Sequence, residues 1–198
     1  SINVTEVADG AVKFDTGSVD VAQGDVAEIT LNFQGDAETG TLLIGSYEDD
    51  GYQLNATVSD DGDDQVIVYF DTDAAGDTNQ VWADTEEESD SVSVDASGID
   101  WDDLSNVLDT GSYEIATVVG DAKYGEAMTE PDDVGTLFIE EGSIDAVQTW
   151  TISDSNAGDF ESVGDVATAV DDNELTQTST FAIGDTMVAQ ISGTGLEG

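Results

Sequence analysis

The acidic side chains of this 198-residue chain are the residues that could do chemistry, because many of them cluster in short segments. Hard cations such as Ca²⁺ are bound by roughly six to eight oxygen atoms, and carboxylates at alternate positions of a turn supply several of them. Segments 61–63 (Asp-Gly-Asp) and 71–73 (Asp-Thr-Asp) have that spacing, although neither completes an EF-hand loop. The sequence therefore allows two interpretations, a Ca²⁺ or Mg²⁺ site and a solvated acidic surface. The candidate metal ligands are Glu48, Asp50, Asp60, Asp61, Asp63, Asp64, Asp71 and Asp73.

Other catalytic side chains are scarce in the sequence. The chain has no His and no Cys, which removes the commonest general base, the thiol nucleophile and the usual transition-metal ligands. Glycoside hydrolysis needs two carboxylates beside a sugar-binding cleft, and among 46 acidic residues no pair is distinguished by its spacing. We therefore predict that the protein is not an enzyme.

The charge of the chain indicates a protein adapted to molar salt. There are 46 acidic residues against 2 basic ones, a formal net charge of −44 at pH 7. Self-repulsion at this density opposes a compact fold in dilute buffer, whereas at about 1 M salt the Debye length is about 3 Å and the repulsion is screened. The acids run from end to end, which disfavours an acidic tail or a nucleic-acid mimic. The charge excludes nucleic acid and anionic membranes as partners and favours cations.

The segment 53–73 organises the predicted fold as two strands joined by an acidic turn. Leu54, Ala56 and Val58 alternate with polar residues, which is the period of a strand with one solvent-facing side. Asn55 falls on that outward side. Residues 66–70 are apolar on both faces, which predicts a central strand. We expect the two strands to form a hairpin across the acidic turn.

The spacing of strands and turns predicts an all-β fold. About seven or eight short strands, separated by turns rich in Gly and Asp, favour an antiparallel β-sandwich. We divide the chain into an N-terminal arm (1–16), the sandwich (17–142) and a partial second β-domain (143–198). In this last part we expect a short helix at 163–170 and a strand at 178–183. An incomplete sandwich leaves unpaired strand edges and an uncovered apolar face, which must pair with another element.

Two N-glycosylation sequons are present, Asn3-Val4-Thr5 and Asn55-Ala56-Thr57. The chain has no stretch near the roughly 20 apolar residues of a membrane span, and its first residues do not form a signal peptide. We expect an exported protein to be processed, without a direct membrane span, and to carry N-glycans at Asn3 and Asn55.

Three segments carry a family resemblance. They are the turn Gly24-Asp25 followed by AEITLNF, the run LLIGSYEDDGYQLNATVSDDGDDQVIVYFDTDAAG, and the closing FAIGDTMVAQISGTGLEG. These segments resemble the Ig-like domains of haloarchaeal cell-surface glycoproteins, including S-layer and S-layer-like proteins. The resemblance implies an antiparallel Ig-like β-sandwich at 17–142 and a partial second Ig-like domain at 143–198. It also implies an exported, N-glycosylated protein of cation-stabilised surface lattices.

These observations lead to one main hypothesis and two alternatives. The main hypothesis is a structural extracellular protein of a halophilic archaeon, which self-assembles into a surface layer or filament through β-strand and cation-mediated contacts. Its partners are then further copies of itself and cations. In one version of this hypothesis, residues 1–15 complete the sheet of a neighbouring copy by strand addition. The alternatives are a monomeric adhesion or glycan-binding module that presents the loop 72–90, and a surface protein of a virus that infects haloarchaea.

Overall fold

The computed structural model describes residues 10–77, 79–84, 89–94, 107–122, 130–153 and 162–196. The chain forms two compact units, one comprising Ser1–Gly142 with Gly195–Gly198 and the other Ser143–Thr194. The described elements of the first unit are β1 (Gly10–Phe14), β2 (Ser18–Ala22), β3 (Val26–Gly35), β4 (Thr39–Ile44), α1 (Tyr47–Asp50), β5 (Leu54–Ser59), β6 (Gln65–Asp71), β7 (Val81–Ala83), β8 (Ser91–Val94), β9 (Gly111–Val119) and β10 (Asp133–Glu140). Those of the second unit are β11 (Ile144–Ser153), α2 (Val163–Asp171), β12 (Thr176–Gln177) and β13 (Asp185–Gly193).

The first unit contains two sheets that share one hydrophobic core. Their strand orders are β1-β3-β6-β7 and β2-β10-β9-β4-β5-β8. Buried apolar side chains from both sheets form a single cluster, which includes Ile29 and Leu31 of β3 and Leu42 and Ile115 of the other sheet. The all-β prediction is confirmed. The strand pairs of this unit are antiparallel, as expected, except that β10 pairs with β2 in parallel.

Alternating side chains of β3 show how the sequence builds this core. Ala27, Ile29, Leu31 and Phe33 are all buried, as the period-2 pattern predicts. Each large apolar side chain removed from water in this way contributes about 1.5–3 kcal/mol to folding. The intervening residues of β3 are exposed or half-buried, so the strand has one dry face and one wetter face.

The two strands expected in the segment 53–73 are present, but they do not form a hairpin. β5 pairs with β4 and β8, whereas β6 pairs with β3 and β7 in the other sheet. The acidic connection at 60–64 therefore crosses from one sheet to the other. Stacked sheets lie about 10 Å apart, a gap that five residues span easily. The prediction of a central second strand is confirmed, because β6 lies inside its sheet.

Asn55 faces away from the core that contains Leu54 and Ala56, as predicted, but that side of the sheet is covered and not exposed to solvent. Asn55 is 1% exposed, and its cross-strand neighbour Leu43 is equally buried. Leu43 and Ala116 form a small second cluster, against which Ala122 packs. Thr41 fixes this cover, since its Oγ1 donates to the carbonyl oxygen of Gly120 and accepts from the amide of Ala122, both at 2.8 Å.

Residues 10–14 of the predicted N-terminal arm form part of the chain's own sheet. Strand β1 pairs with β3 along its whole length, from Gly10 opposite Gly35 to Phe14 opposite Leu31. Val12 is fully buried and Phe14 is 8% exposed, so both belong to the core. These five residues therefore pair within their own chain and are not donated to a neighbouring copy in this structure. Residues 1–9 lie outside the described residues.

The second unit is a three-stranded sheet with one helix packed on it. The strand order is β12-β11-β13, and the buried core consists of Ile152, Ala169 and Leu175. The helix predicted at 163–170 is present and begins with a capping box, in which Ser162 and Asp165 bond reciprocally. The strand predicted at 178–183 is wrong. β12 ends at Gln177, and the chain reaches β13 through a loop in which Thr178 bonds to Thr180.

Candidate functional site

Strand register brings together the acidic residues that the structure makes the best candidate for a site. The antiparallel pairing of β5 with β8 places Ser59 opposite Ser91. The residues just beyond this pair, Asp60 and Asp90, therefore meet at the same end of the sheet. With Asp61 and Asp63 they form an acidic cluster, in which one carboxylate oxygen from each residue lies within 4.8 Å of the others.

The backbone of the 60–64 connection is shaped by two residues with positive φ. Gly62 has φ of 116° and Asp64 has φ of 70°, a conformation that Gly adopts freely and that Asp tolerates better than most residues. The Asp63 carboxylate accepts from the amide of Gln65 at 3.0 Å, and the carbonyl of Asp64 accepts from the amide of Phe33 at 2.8 Å. These bonds hold the acidic connection against the start of β6 and the end of β3.

Two hydrogen bonds join the 60–64 connection to the segment that precedes β8. The amide of Asp61 donates to Asp90 Oδ1 at 3.0 Å, and the amide of Ser89 donates to Asp61 Oδ2 at 2.9 Å. The Oδ1 atom of Asp60 is buried and accepts no hydrogen bond from any described residue. A buried carboxylate oxygen without a donor is costly, and a water molecule or a cation can offset this cost. Backbone hydrogen bonds from Gly62 and Asp64 to the same carboxyl lower its pKa and partly oppose the effect of burial, which raises it.

The acidic cluster is electrostatically unfavourable by itself. Burial raises the pKa of the Asp60 carboxyl above its ordinary value, and the adjacent Asp63 acts in the same direction. Burial also raises the pKa of Asp90, with the neighbouring carboxylates adding to the effect. Lys13, the cationic side chain in the described part of the chain, donates instead to the main-chain oxygen of Asp132 at 3.0 Å. A cation from solution can neutralise the cluster.

The dimensions of the acidic cluster suit a hard divalent cation. Oxygens bound to one Ca²⁺ at about 2.4 Å lie at most about 4.8 Å apart, and the four carboxylate oxygens lie within that distance of one another. Carboxylate oxygens are ligands that both Ca²⁺ and Mg²⁺ take. A bound ion here would tie the sheet-crossing connection to β8, which is an edge strand.

The other predicted ligands lie elsewhere or serve local turns. Asp50 Oδ2 accepts from the amide of Ser46 at 2.8 Å beside α1, which also contains Glu48. Asp71 Oδ1 accepts from the amide of Asp73 at 2.8 Å. Of the predicted residues, the cluster contains Asp60, Asp61 and Asp63 and leaves out Asp64, Asp71, Asp73, Glu48 and Asp50.

Sequence reasoning missed Asp90, although a signal was available. Residues 91–94 alternate between Ser and Val, which predicts a short strand, but the pattern does not identify its partner. Pairing it with β5 in antiparallel register would have placed Asp90 beside Asp60.

Of the two predicted glycosylation sites, Asn3 lies outside the described residues. Asn55 is described, and its Nδ2 atom is buried without a hydrogen-bond acceptor among the described residues. A glycan on Nδ2 requires access to solvent, which the folded first unit does not provide. We therefore predict that intact-mass and peptide analysis of the native protein will find Asn55 unmodified. A glycan on Asn55 in folded protein would show that the cover over this face opens.

Comparisons with known proteins place this chain in a family. Residues 4–120 match the model of a family described as Domain of unknown function (DUF7827). The chain belongs to this family. It is 36% identical over 199 residues to a cell surface glycoprotein of Haloferax gibbonsii. It is 33% and 31% identical, over 203 and 210 residues, to cell surface glycoproteins 2 and 1 of Haloarcula hispanica.

These alignments cover 100% of the chain but only 21–22% of each relative, so the chain spans about a fifth of the length of the curated relatives it matches. The expected resemblance to haloarchaeal cell-surface glycoproteins is thus confirmed for this member of the DUF7827 family. No solved structure matches the chain. No helix in the described ranges has the length and apolar character needed to cross a membrane.

Proposed function

We propose that this chain is a structural, non-catalytic part of the extracellular surface of a haloarchaeon, and that divalent cations, Ca²⁺ or Mg²⁺, bind it and mediate contacts between copies. The names of its relatives support the surface location, and their glycoprotein character supports an N-glycan at the sequon of Asn3. The observation that carries the cation part is the acidic cluster, which unites four carboxylates from two separate segments with no ion pair to a basic side chain of the described residues. If such ions also bridge the acidic faces of two copies, the copies assemble into a layer or filament.

We also propose that the first unit is Ig-like. In a variable-type Ig domain one sheet has the order A-B-E-D and the other G-F-C-C′-C″. The orders β1-β3-β6-β7 and β10-β9-β4-β5-β8 have the same spatial arrangement, with β2 added beside β10. The chain differs in connectivity, because β6 and β7 precede β8 along the sequence.

The cation proposal is tested by removing one carboxylate of the acidic cluster. In molar KCl, Ca²⁺ at about a hundred times its dissociation constant stabilises the fold by about 2.7 kcal/mol. For a unit of this size we expect a rise in melting temperature of roughly 5–10 °C over the chelator-treated protein. Asp90→Asn removes one ligand and its charge, so it should abolish most of the rise, measured by calorimetry at constant ionic strength.

Asp64→Asn is the matched control for Asp90→Asn. It makes the same charge change in the same connection, outside the cluster, and Asn tolerates the positive φ at this position. We expect its response to Ca²⁺ to equal that of the unmodified chain. An equal response in Asp90→Asn would contradict the proposed site. Electron microscopy of the same samples, with and without chelator, tests whether cations also drive assembly, and dispersed particles in both conditions would contradict that part.

The pH dependence of cation binding follows from the raised pKa values of Asp60 and Asp90. A carboxyl whose pKa is raised on folding stabilises the fold below the ordinary value near 4, and this contribution is lost as pH rises through the raised value. Ca²⁺ requires the ionised forms, so protons and Ca²⁺ compete. We expect the Ca²⁺-induced rise in melting temperature to be full at about pH 7 and to shrink steadily toward about pH 4.5. A rise independent of pH across this range would argue against carboxylate ligation.

A second candidate function, glycan binding, rests on one pair of aromatic side chains. Trp82 of β7 is 39% exposed and lies beside Tyr69, with ring centroids 5.9 Å apart and an angle of 32° between the rings. An exposed aromatic surface of this kind can contact the apolar face of a sugar. A monomer whose melting temperature rises with soluble oligosaccharides, and falls back in Trp82→Ala, would favour this candidate over assembly.

A further inference from the structure

The sheet of the second unit is depleted in acidic residues although the rest of the chain is crowded with them. Its three strands contain two acids, Asp145 and Asp185, among 21 residues. The average over the chain is close to one acid in four residues. Residues 186–196, which include most of β13, are the longest run without Asp or Glu in the sequence. A sheet surface that contacts only concentrated salt solution has no need of so few acidic residues.

Large apolar side chains are exposed on the side of this sheet that α2 does not cover. Trp150 and Val188 pack toward the helix, so the alternate positions of β11 and β13 face the other way. Val147, Met187 and Ile191 occupy these positions and are 60%, 56% and 55% exposed. The register places Val147 directly opposite Ile191, so they form one apolar patch.

Strand β13 is also an unpaired edge. It pairs with β11 on one side, and no described strand pairs with its other side, although it is nine residues long. A groove of about 530 Å³ lies between α2 and this strand and is lined by Trp150, Val166, Val170 and Val188 among others. Natural proteins usually protect a long edge strand with charge, proline or a bulge, and β13 has no proline and a single charge, Asp185 at its first residue.

We propose that a second copy of this chain pairs with β13 through its own β13, in antiparallel register about a two-fold axis at Ala189. This inference deepens the proposed function, because it names the β-strand contact through which copies associate, and it rests on that function. The register places Met187 opposite Ile191 of the second copy and Asp185 opposite Gly193. It places no like charges opposite each other. Each copy also brings Val188 close to the groove of the other.

The charge of the chain favours a second copy as the partner that pairs with the β13 edge. Two chains of net charge −44 repel each other strongly wherever their acidic faces approach. The β13 edge carries one acid, Asp185 at its first residue, so two copies can approach along the rest of the strand without an intervening cation, and its apolar pattern is complementary to itself. A strand of nine residues is about 30 Å long and about 10 Å thick, so the pairing buries roughly 600 Å² in total. This area is small, and we therefore expect a weak, concentration-dependent dimer.

Sedimentation of the full chain in molar KCl with a chelator tests this pairing. We expect reversible dimerisation that needs no divalent cation. Ala189→Asp places two carboxylates face to face at the axis and should weaken the dimer about tenfold or more. The matched control is Ala182→Asp, which adds the same charge at an exposed loop position outside β13 and should leave dimerisation unchanged.

A cross-link provides a second measurement that does not depend on tolerance of a new charge. The chain has no cysteine, so Ala189→Cys introduces a single thiol. Directly opposed residues of antiparallel strands have Cα atoms about 4.5–5.5 Å apart, which suits a disulfide. Mild oxidation should yield a covalent dimer with Ala189→Cys and leave Ala182→Cys monomeric at the same concentration.

The outcomes separate this inference from the proposed function. A chain that stays monomeric at high concentration, or cross-links equally at both positions, overturns the β13 pairing. So does a monomer whose β13 amides are protected from exchange, because another part of the protein would then cover the edge. Cation-dependent assembly without a β13 dimer leaves the proposed function intact. A dimer in chelator, without any cation-dependent assembly, supports the pairing and removes cation-mediated assembly.

Discussion

Replacing Phe14 with alanine is expected to destabilise the first unit by about 3–5 kcal/mol. Phe14 is 8% exposed and belongs to the core that both sheets share. The substitution leaves a cavity at the end of β1, and the neighbouring strand β3 cannot close it without losing its register with β6. Urea unfolding at constant molar KCl, followed by intrinsic fluorescence, measures the change from the shift in midpoint at constant slope.

Phe138→Ala is the matched control for Phe14→Ala. Phe138 of β10 is 39% exposed and is not a member of the core cluster, so its loss should cost much less. Deleting residues 1–15 removes Phe14 and Val12 together and should destabilise the unit at least as much as Phe14→Ala. A deletion variant that remains a monomer with unchanged stability would contradict the role of β1. It would restore the hypothesis that this segment is donated to a neighbouring copy.

Strand positions were readable from the sequence because alternation is a local property. The side chains of β3 alternate between apolar and polar, and those of β6 form a short apolar run, so each strand is predicted from its own residues without knowledge of its partner. Pairing is not local. Two apolar segments separated by a turn are the sequence pattern of a hairpin and also of a connection that crosses between sheets. For this reason the sequence predicts a hairpin at 60–64, where the structure has a connection between the two sheets. The burial of Asn55 has the same origin, since its cover comes from residues about 65 positions later in the sequence.

The candidate site follows the same rule: its members that are neighbours in the sequence were predictable, and the member brought in by strand pairing was not. Asp60, Asp61 and Asp63 are neighbours in the sequence and were recognised together, whereas Asp90 is brought in by the pairing of β5 with β8. The predicted ligands that proved separate, such as Asp50 and Asp71, have equally suitable spacing but bond to nearby backbone amides. With one acid in about four residues, spacing alone cannot distinguish a cluster in space from a solvated turn. The deciding information is strand register.

The largest effect expected in the second unit follows from its small core. Units of about 50 residues have a free energy of unfolding of roughly 3–8 kcal/mol. The buried apolar residues described here are Ile152, Ala169 and Leu175, so each contributes a large share. Ile152→Ala removes the one that joins the sheet to α2 and should cost about 2–5 kcal/mol. We expect this variant to lose most of the amide-exchange protection of β11 and β13, measured in deuterated brine, while β3 and β6 keep theirs.

Ile183→Ala makes the same chemical change at a fully exposed loop position and should leave protection of β11 and β13 unchanged.

The pair of variants also links stability to the proposed dimer. If a second copy pairs with β13, protection in the unmodified chain should increase with protein concentration, because association stabilises the folded unit by mass action. Ile152→Ala should then abolish the cross-link of Ala189→Cys when the two changes are combined, and Ile183→Ala should not. Full protection in Ile152→Ala at low concentration would show that the stability of this unit does not come from packing of α2 on the sheet.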